Sequence, residues 1–337
     1  MGRIINKIVH IYQLYKWYFY VAEELSIENT KKRLMQYYSA DAPSTGTITK
    51  PCIVVMIDGR YTHGGLTDRM RGILATYKWA KKRGYEFKIN WVFPYRLEQY
   101  LKPNKISWQI MPCELSYNTS EALPICIYDY GQPFQYRIFN RLMDKFVDDT
   151  KKQYHVYSNI NGVEHEFRKL FDELFTPSED IQKEIKKHID NLGGNYVSFT
   201  FRFQELLGDF KEQGKWVTLK DNEKETLIKK CIEIVDEVYV TNKLKGRILI
   251  TSDSSLFLKE IAEELDYVYV LSGKISHMDF QSGETDYRVH MRSFIDFFLL
   301  AKAKTSYLVC CDKMYKSNFA KYAAFYGKHK YFEIIRR

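Results

Sequence analysis

Short β-branched, apolar runs alternate with longer stretches of helical periodicity through most of this chain, and that rhythm admits few architectures. Residues 51–57 (Pro-Cys-Ile-Val-Val-Met-Ile) read as a buried strand. Residues 66–83 carry Met70, Ile73, Leu74, Tyr77 and Ala80 at helical spacing and stop before Gly84, and 87–91 read as the next strand. The pattern returns with strands expected at 196–201, 247–251, 267–271 and 306–310, and helices at 224–240, 254–265, 289–303 and 317–327. Such alternation predicts α/β structure, parallel sheets with helices on both faces and a ligand crevice at the carboxyl ends of the strands. The middle, 137–191, reads as mostly helical and highly charged, and Gly193-Gly194 marks its end. The expected organisation is an N-terminal helix and linker over 1–45, one Rossmann-like domain over 46–192 and a second over 193–337.

With 45% apolar residues among 337, the chain can bury a sizeable core, and only 8 Pro and 17 Gly exclude a disordered or collagenous chain. The balance of 51 Lys+Arg against 42 Asp+Glu, net +9, points to anionic partners without choosing among them. The six cysteines (Cys52, Cys113, Cys126, Cys231, Cys310, Cys311) form no C-x-x-C pair, so neither a zinc site nor a disulfide framework is indicated. They read as reduced core thiols in a cytoplasmic protein. Residues 4–24 read as a helix rich in Tyr, Trp and Phe. Its bland role is packing on the body of the protein; its sharper one is peripheral contact with the inner face of a membrane. Residues 40–50 then read as a linker.

No Walker loop, G-x-G-x-x-G, H-E-x-x-H or G-x-S-x-G occurs. There is also no D-x-D to hold a divalent ion on a diphosphate, so no metal is expected. A nucleotide diphosphate would have to be neutralised by arginines and helix N-termini. Four stretches could do this. His63-Gly64-Gly65-Leu66-Thr67-Asp68-Arg69 sets a glycine pair before a helix whose first turns hold arginines. Arg202 stands at the carboxyl end of an apolar strand, followed by Glu205 and Asp209, and is either ion-paired with one of them or placed to bind phosphate. Ser252-Asp253-Ser254 ends another strand, either capping a helix or meeting a nucleoside. Ser317-Asn318-Phe319 opens the last helix, whose amides form an anion site.

In that order along two α/β halves, these stretches resemble the fucosyltransferase group of GT-B glycosyltransferases. That group includes the α1,2-, α1,6-, protein O- and nodulation fucosyltransferases. The likeness covers about residues 51–330. Gly64-Gly65-Leu66-Thr67-Asp68-Arg69 is similar to the family's first-domain loop. Arg202 sits where the arginine of an H-x-R motif holds the donor β-phosphate, with Thr200 in the histidine's place. Ser252-Asp253-Ser254 is similar to the guanosine-contacting strand end, and Ser317-Asn318-Phe319 to the diphosphate-contacting S-x-F.

The resemblance implies two Rossmann-like domains facing a central cleft. It also implies inverting, metal-independent transfer of fucose from GDP-fucose, the donor substrate, to a glycan hydroxyl of surface polysaccharide or lipopolysaccharide. Donor binding falls to Gly64, Gly65, Arg69, Thr200, Arg202, Ser252, Asp253, Ser254, Ser317, Asn318 and Phe319. The base is sought among Glu205 and Asp209, then Asp68 and His63. Alternatives are another nucleotide sugar, a degenerate glycan-binding protein, or a nucleic-acid-binding protein. Against the last, runs such as Lys81-Lys82-Arg83 lie interspersed with acids on expected helices, and no nucleic-acid motif is present. His277, Asp286 and His290 lie in 273–290, read either as a polar loop that could reach over the donor or as a solvated loop with a helix-start histidine.

Overall fold

The computed structural model describes residues 12, 32–45, 48, 50–61, 63–129, 134–210, 217–273, 275 and 287–337. The expected N-terminal helix over 4–24, apart from Tyr12, lies outside these residues, as do His277 and Asp286. In chain order the strands are β1 (Cys52–Ile57), β2 (Glu86–Trp91), β3 (Leu101–Pro103), β4 (Ala122–Ile127), β5 (Gln153–Ser158), β6 (Phe175–Pro177), β7 (Val197–Phe201), β8 (Ile248–Ser252), β9 (Val268–Val270), β10 (Thr305–Cys311) and β11 (Lys330–Arg336). The α-helices are α1 (Leu66–Arg83), α2 (Gln135–Phe146), α3 (Phe167–Leu174), α4 (Glu179–Asn191), α5 (Asp221–Thr241), α6 (Ser255–Glu264), α7 (Tyr287–Lys302) and α8 (Phe319–Gly327).

The chain divides into two compact units. One gathers the chain up to Gly64 with Asp68–Arg96 and Lys105–Glu164; the other gathers Gly65–Thr67, Leu97–Asn104 and His165–Arg337. The first holds a parallel sheet in the order β2-β1-β5-β4. All six residues of β1 are buried, as a strand covered on both faces requires. Its Cys52, Val54 and Met56 pack with Leu34, Ile110, Cys126 and Tyr157. Chain order runs from β1 outward to β2, then returns on the other side with β4 and β5. The switch of direction therefore falls between β1 and β5.

α1 lies hard against the carboxyl end of β5: a Cβ on Gly72 would stand 1.7 Å from the Ser158 carbonyl oxygen. Strand β5 itself was hidden in the stretch expected to be mostly helical, because its interior is polar. Gln153 and His155 are wholly buried. The Gln153 amide donates to the Glu114 carbonyl (2.7 Å) and accepts from Ser116 N (3.1 Å), and His155 Nδ1 meets the Tyr38 hydroxyl at 2.7 Å. Satisfied polar groups of this kind are stable inside a sheet but break the apolar run that announces one. The stretch expected as a linker is tied down: Ser44 Oγ and Thr45 N donate to Glu121, and Asn118 Nδ2 donates to the Ala40 and Ala42 carbonyls.

The second unit holds the parallel sheet β11-β10-β7-β8-β9 and a small antiparallel pair, β3 with β6. Phe199, Phe201, Ile248, Ile250 and Val309 face Leu227, Cys231, Val235 and Phe257 in its core. α3, which the sequence reading grouped with the first half, packs here: Phe167 lies 5.2 Å from Tyr322 and Phe171 4.9 Å from Tyr326, ring to ring. Here the chain runs from β7 to β8 and β9, then crosses back to place β10 and β11 on the opposite side. The switch falls between β7 and β10. Five of the six cysteines are buried and all are free; Cys113 is exposed. Among the described residues, no helix is long and apolar enough to cross a membrane.

Gly72 makes the helix–sheet approach in the first unit testable. A Gly72→Ala substitution must push α1 off β5 and is expected to cost about 1–3 kcal/mol, as overpacking does. Chemical denaturation would measure it, and unchanged stability would contradict this packing.

Candidate functional site

In open α/β sheets, ligands bind outside the carboxyl ends of the strands where strand order reverses. In the second unit that place is the exit of β7 and the neighbouring exit of β10. Arg202 is the first residue after β7, its side chain 19% exposed, and its guanidinium carbon lies 5.0 Å from the Phe210 ring centre. Nη1 of Arg202 lies 3.2 Å from Oδ2 of Asp253, at the exit of β8. The same carboxylate accepts the next two amides of the chain, Phe203 N at 2.8 Å on Oδ1 and Gln204 N at 2.7 Å on Oδ2. Gln204 has φ +55°, a left-handed conformation uncommon outside glycine, and these bonds hold it there. Burial pushes the Asp253 carboxyl above the usual carboxylate range, against the pull of Arg202 and the two amides. Beneath, Thr200 and Thr251 join their hydroxyls at 2.9 Å.

The exit of β10 approaches the same point, because Tyr315 N donates to the Arg202 carbonyl at 3.1 Å. The turn that carries Tyr315 is seated on sulfur. Cys231 Sγ lies 3.7 Å from Met314 Sδ, and Cys311 N donates to that sulfur at 3.4 Å. Ser317 Oγ accepts from Phe319 N at 3.2 Å, so the hydroxyl expected on a phosphate also secures the first amide of α8. Asn318 stands between them as the residue before the helix.

Ser252, Asp253 and Ser254 are all engaged within the fold. Ser252 Oγ accepts from Ser254 N (3.1 Å), and Ser254 Oγ accepts from Phe257 N (3.1 Å) as the cap of α6. Asp209 Oδ2 accepts from the Ser254 hydroxyl (3.0 Å) and Leu256 N (2.8 Å). Its carboxylate thus completes a helix start, where a negative charge meets the positive end of the helix dipole. Glu205, partly buried, lies on the turn after Arg202, and its carbonyl accepts from Gly208 N at 3.0 Å.

The glycine-pair loop is also internally bonded. Arg69 is 1% exposed; its Nε donates to the Gly64 carbonyl (2.9 Å) and Nη1 to the Phe93 carbonyl (2.6 Å), with Trp91 5.2 Å below. An arginine directed at backbone carbonyls fixes the loop. Gly64 has φ +71°, and a Cβ there would lie 2.8 Å from Asp68 Oδ2, so glycine is needed for the close turn; a Cβ on Gly65 would meet open space. Asp68 pairs with Arg71 at 2.6 Å. His63 is buried, and its Nε2 accepts from Gly59 N at 3.1 Å, which leaves its proton on Nδ1. Burial first, then Arg69, pulls its pKa down to about 3. A neutral ring whose lone pair holds a backbone amide is poorly suited to accept a proton.

Asp58, directly after β1 at the first sheet's switch point, escaped sequence reasoning. Its Oδ1 accepts from Arg60 N (3.1 Å) and its Oδ2 from the Tyr157 hydroxyl (2.9 Å), and Arg60 lies over the Tyr117 ring at 4.1 Å. An aspartate closing a β-branched strand was the available signal.

The state of His63 sets a pH dependence. Its pKa is lower folded than unfolded, so its stabilising effect is complete above about pH 6.5 and declines as the pH falls toward about 3. Urea unfolding at pH 7, 6 and 5 should therefore show a shallower loss of stability in His63→Gln than in the parent. Identical slopes would contradict the buried neutral ring.

No protein-family model and no curated protein matches the sequence. Among solved structures, the chain is similar to NodZ α1,6-fucosyltransferase soaked with GDP-fucose, with TM-score 0.53 at 12% identity over 82% of this chain and 92% of that one. It is similar to the fucosyltransferase NodZ from Bradyrhizobium with the same score and coverage at 14% identity. A mutant of Arabidopsis thaliana FUT1 in complex with GDP scores 0.52 at 10% identity, over 96% of this chain and 79% of that one. At such identities the shared property is the fold, and this chain has the fold of the GT-B fucosyltransferases.

Proposed function

We propose that this chain is an inverting, metal-independent fucosyltransferase that uses GDP-fucose as donor and a glycan hydroxyl, in surface polysaccharide or lipopolysaccharide, as acceptor. The observation that carries the reading is Arg202 at the switch point of the second sheet, bound through its carbonyl to the turn that leads into α8. A guanidinium and the start of a helix, on neighbouring strand exits, suit a diphosphate. The NodZ and FUT1 structures of the same fold were obtained with GDP-fucose or GDP, which supports this donor.

In the reaction so proposed, the bond between the anomeric carbon and the diphosphate oxygen breaks as the acceptor oxygen attacks from the opposite face. The acceptor's proton passes to a carboxylate. Arg202 and the amides at 317–319 stabilise the charge growing on the departing diphosphate, as preorganised donors do. Glu205 and Asp209, then Asp68 and His63, are the groups considered as base. Asp209 caps α6, Asp68 is paired with Arg71, and His63 is neutral with its lone pair engaged. Because Asp253 serves Arg202 and the adjoining amides, the nucleobase must be read by other groups. That leaves a different nucleotide sugar as the second reading.

A thermal-shift series with GDP, UDP and ADP separates the two. A ligand that binds only the folded state raises the unfolding midpoint. GDP should raise it more than UDP or ADP, and a larger shift with UDP would favour the second reading. Replacing Arg202 by Ala should raise the barrier by ~2–4 kcal/mol, lowering turnover about 10²–10³-fold; wild-type turnover would remove the assignment. EDTA should leave turnover intact, and strict dependence on added Mg²⁺ or Mn²⁺ would contradict the metal-free mechanism.

A further inference from the structure

We infer that Asp253 is the positioning residue of the diphosphate site: it orients Arg202 and the turn that follows, and does not itself contact the nucleotide. The inference rests on the reading of Arg202 given above and deepens it by naming what holds that guanidinium in place.

An arginine at a strand end hangs on a flexible stem, so its aim must come from a partner. One carboxylate supplies three contacts across the exits of β8 and β7: Arg202 Nη1 at 3.2 Å, Phe203 N at 2.8 Å and Gln204 N at 2.7 Å. The last of these holds Gln204 at φ +55°. From the opposite side, Tyr315 N grips the Arg202 carbonyl, so the backbone beneath the guanidinium is fixed on both flanks. The side chain of Asp253 is only 3% exposed, which leaves little carboxylate surface for a nucleobase. Among the described residues, the charged groups facing it are Arg202, from the β7 side, and Asp209, through the Ser254 hydroxyl.

The test is a cycle of GDP affinities, measured by calorimetry on the full chain: parent, Asp253→Asn, Arg202→Ala and the double variant. Asp253→Asn keeps the shape and removes the charge. It should weaken GDP about tenfold or more, the size of a lost charge-assisted contact. Arg202→Ala should weaken GDP at least as much, and adding Asp253→Asn to it should change nothing further.

Unchanged or tighter GDP binding in Asp253→Asn would overturn the inference. So would equal weakening in both backgrounds, which marks an effect that does not pass through Arg202. If Arg202→Ala binds GDP like the parent, the reading of the site fails as well; if only Asp253→Asn is silent, the inference falls alone. A readout that needs no Asp253 variant guards against misfolding. Burial raises the Asp253 carboxyl, so acidification should weaken GDP binding more steeply in the parent than in Arg202→Ala. Parallel slopes would overturn it.

Discussion

The second unit is organised around a single buried carboxylate. Taking Asp253 out of water is costly, and removing a partner from a buried ion pair costs more than the pair's own worth, because a lone charge is left behind. Here the carboxylate is compensated by a guanidinium and two amides from the adjacent strand exit. That arrangement forces the chain after β7 into one path, including the left-handed turn at Gln204. It also determines where Arg202 stands relative to the turn before α8, which bonds the same residue's carbonyl. The capping of α6 by Ser254 and Asp209 belongs to the same construction, since both follow directly from how the β7 and β8 exits are tied together.

The two sheets share a design at different chemistry. Each reverses its strand order beside its first strand, and each sets nearby an aspartate whose side chain is largely buried: Asp58 after β1 and Asp253 after β8. In the first unit the aspartate gathers Arg60 N and the Tyr157 hydroxyl, and the neighbouring His63 and Arg69 are directed at the backbone of their own loops. The loop that looked most like a phosphate cradle is therefore held by its own side chains. The guanidinium at a sheet's switch point, Arg202 with its side chain 19% exposed, belongs to the second unit.

Much of the fold was legible because buried parallel strands must be apolar on both faces. Cys52–Ile57, Val197–Phe201 and Ile248–Ser252 declare themselves within a residue or so of their bounds. Strand β5 did not, since Gln153 and His155 are satisfied by partners from distant parts of the chain that no local pattern encodes. Arg202 could be singled out from its place at the end of an apolar strand. Arg69, the same residue type beside two glycines, could not be told from it, because the difference lies in where the nitrogens point. Likewise Ser-Asp-Ser-Ser is compatible with capping or with binding a nucleoside, and the cap at Ser254 is visible only from the position of Phe257 N.

The account's central claim is that one diphosphate is held jointly by Arg202 and the first amides of α8. A crystal structure of the chain with GDP bound tests it most directly. The account predicts phosphate oxygens within about 3.2 Å of the Arg202 guanidinium and of amides at 317–319. GDP seated elsewhere, or a diphosphate out of reach of Arg202, would contradict it.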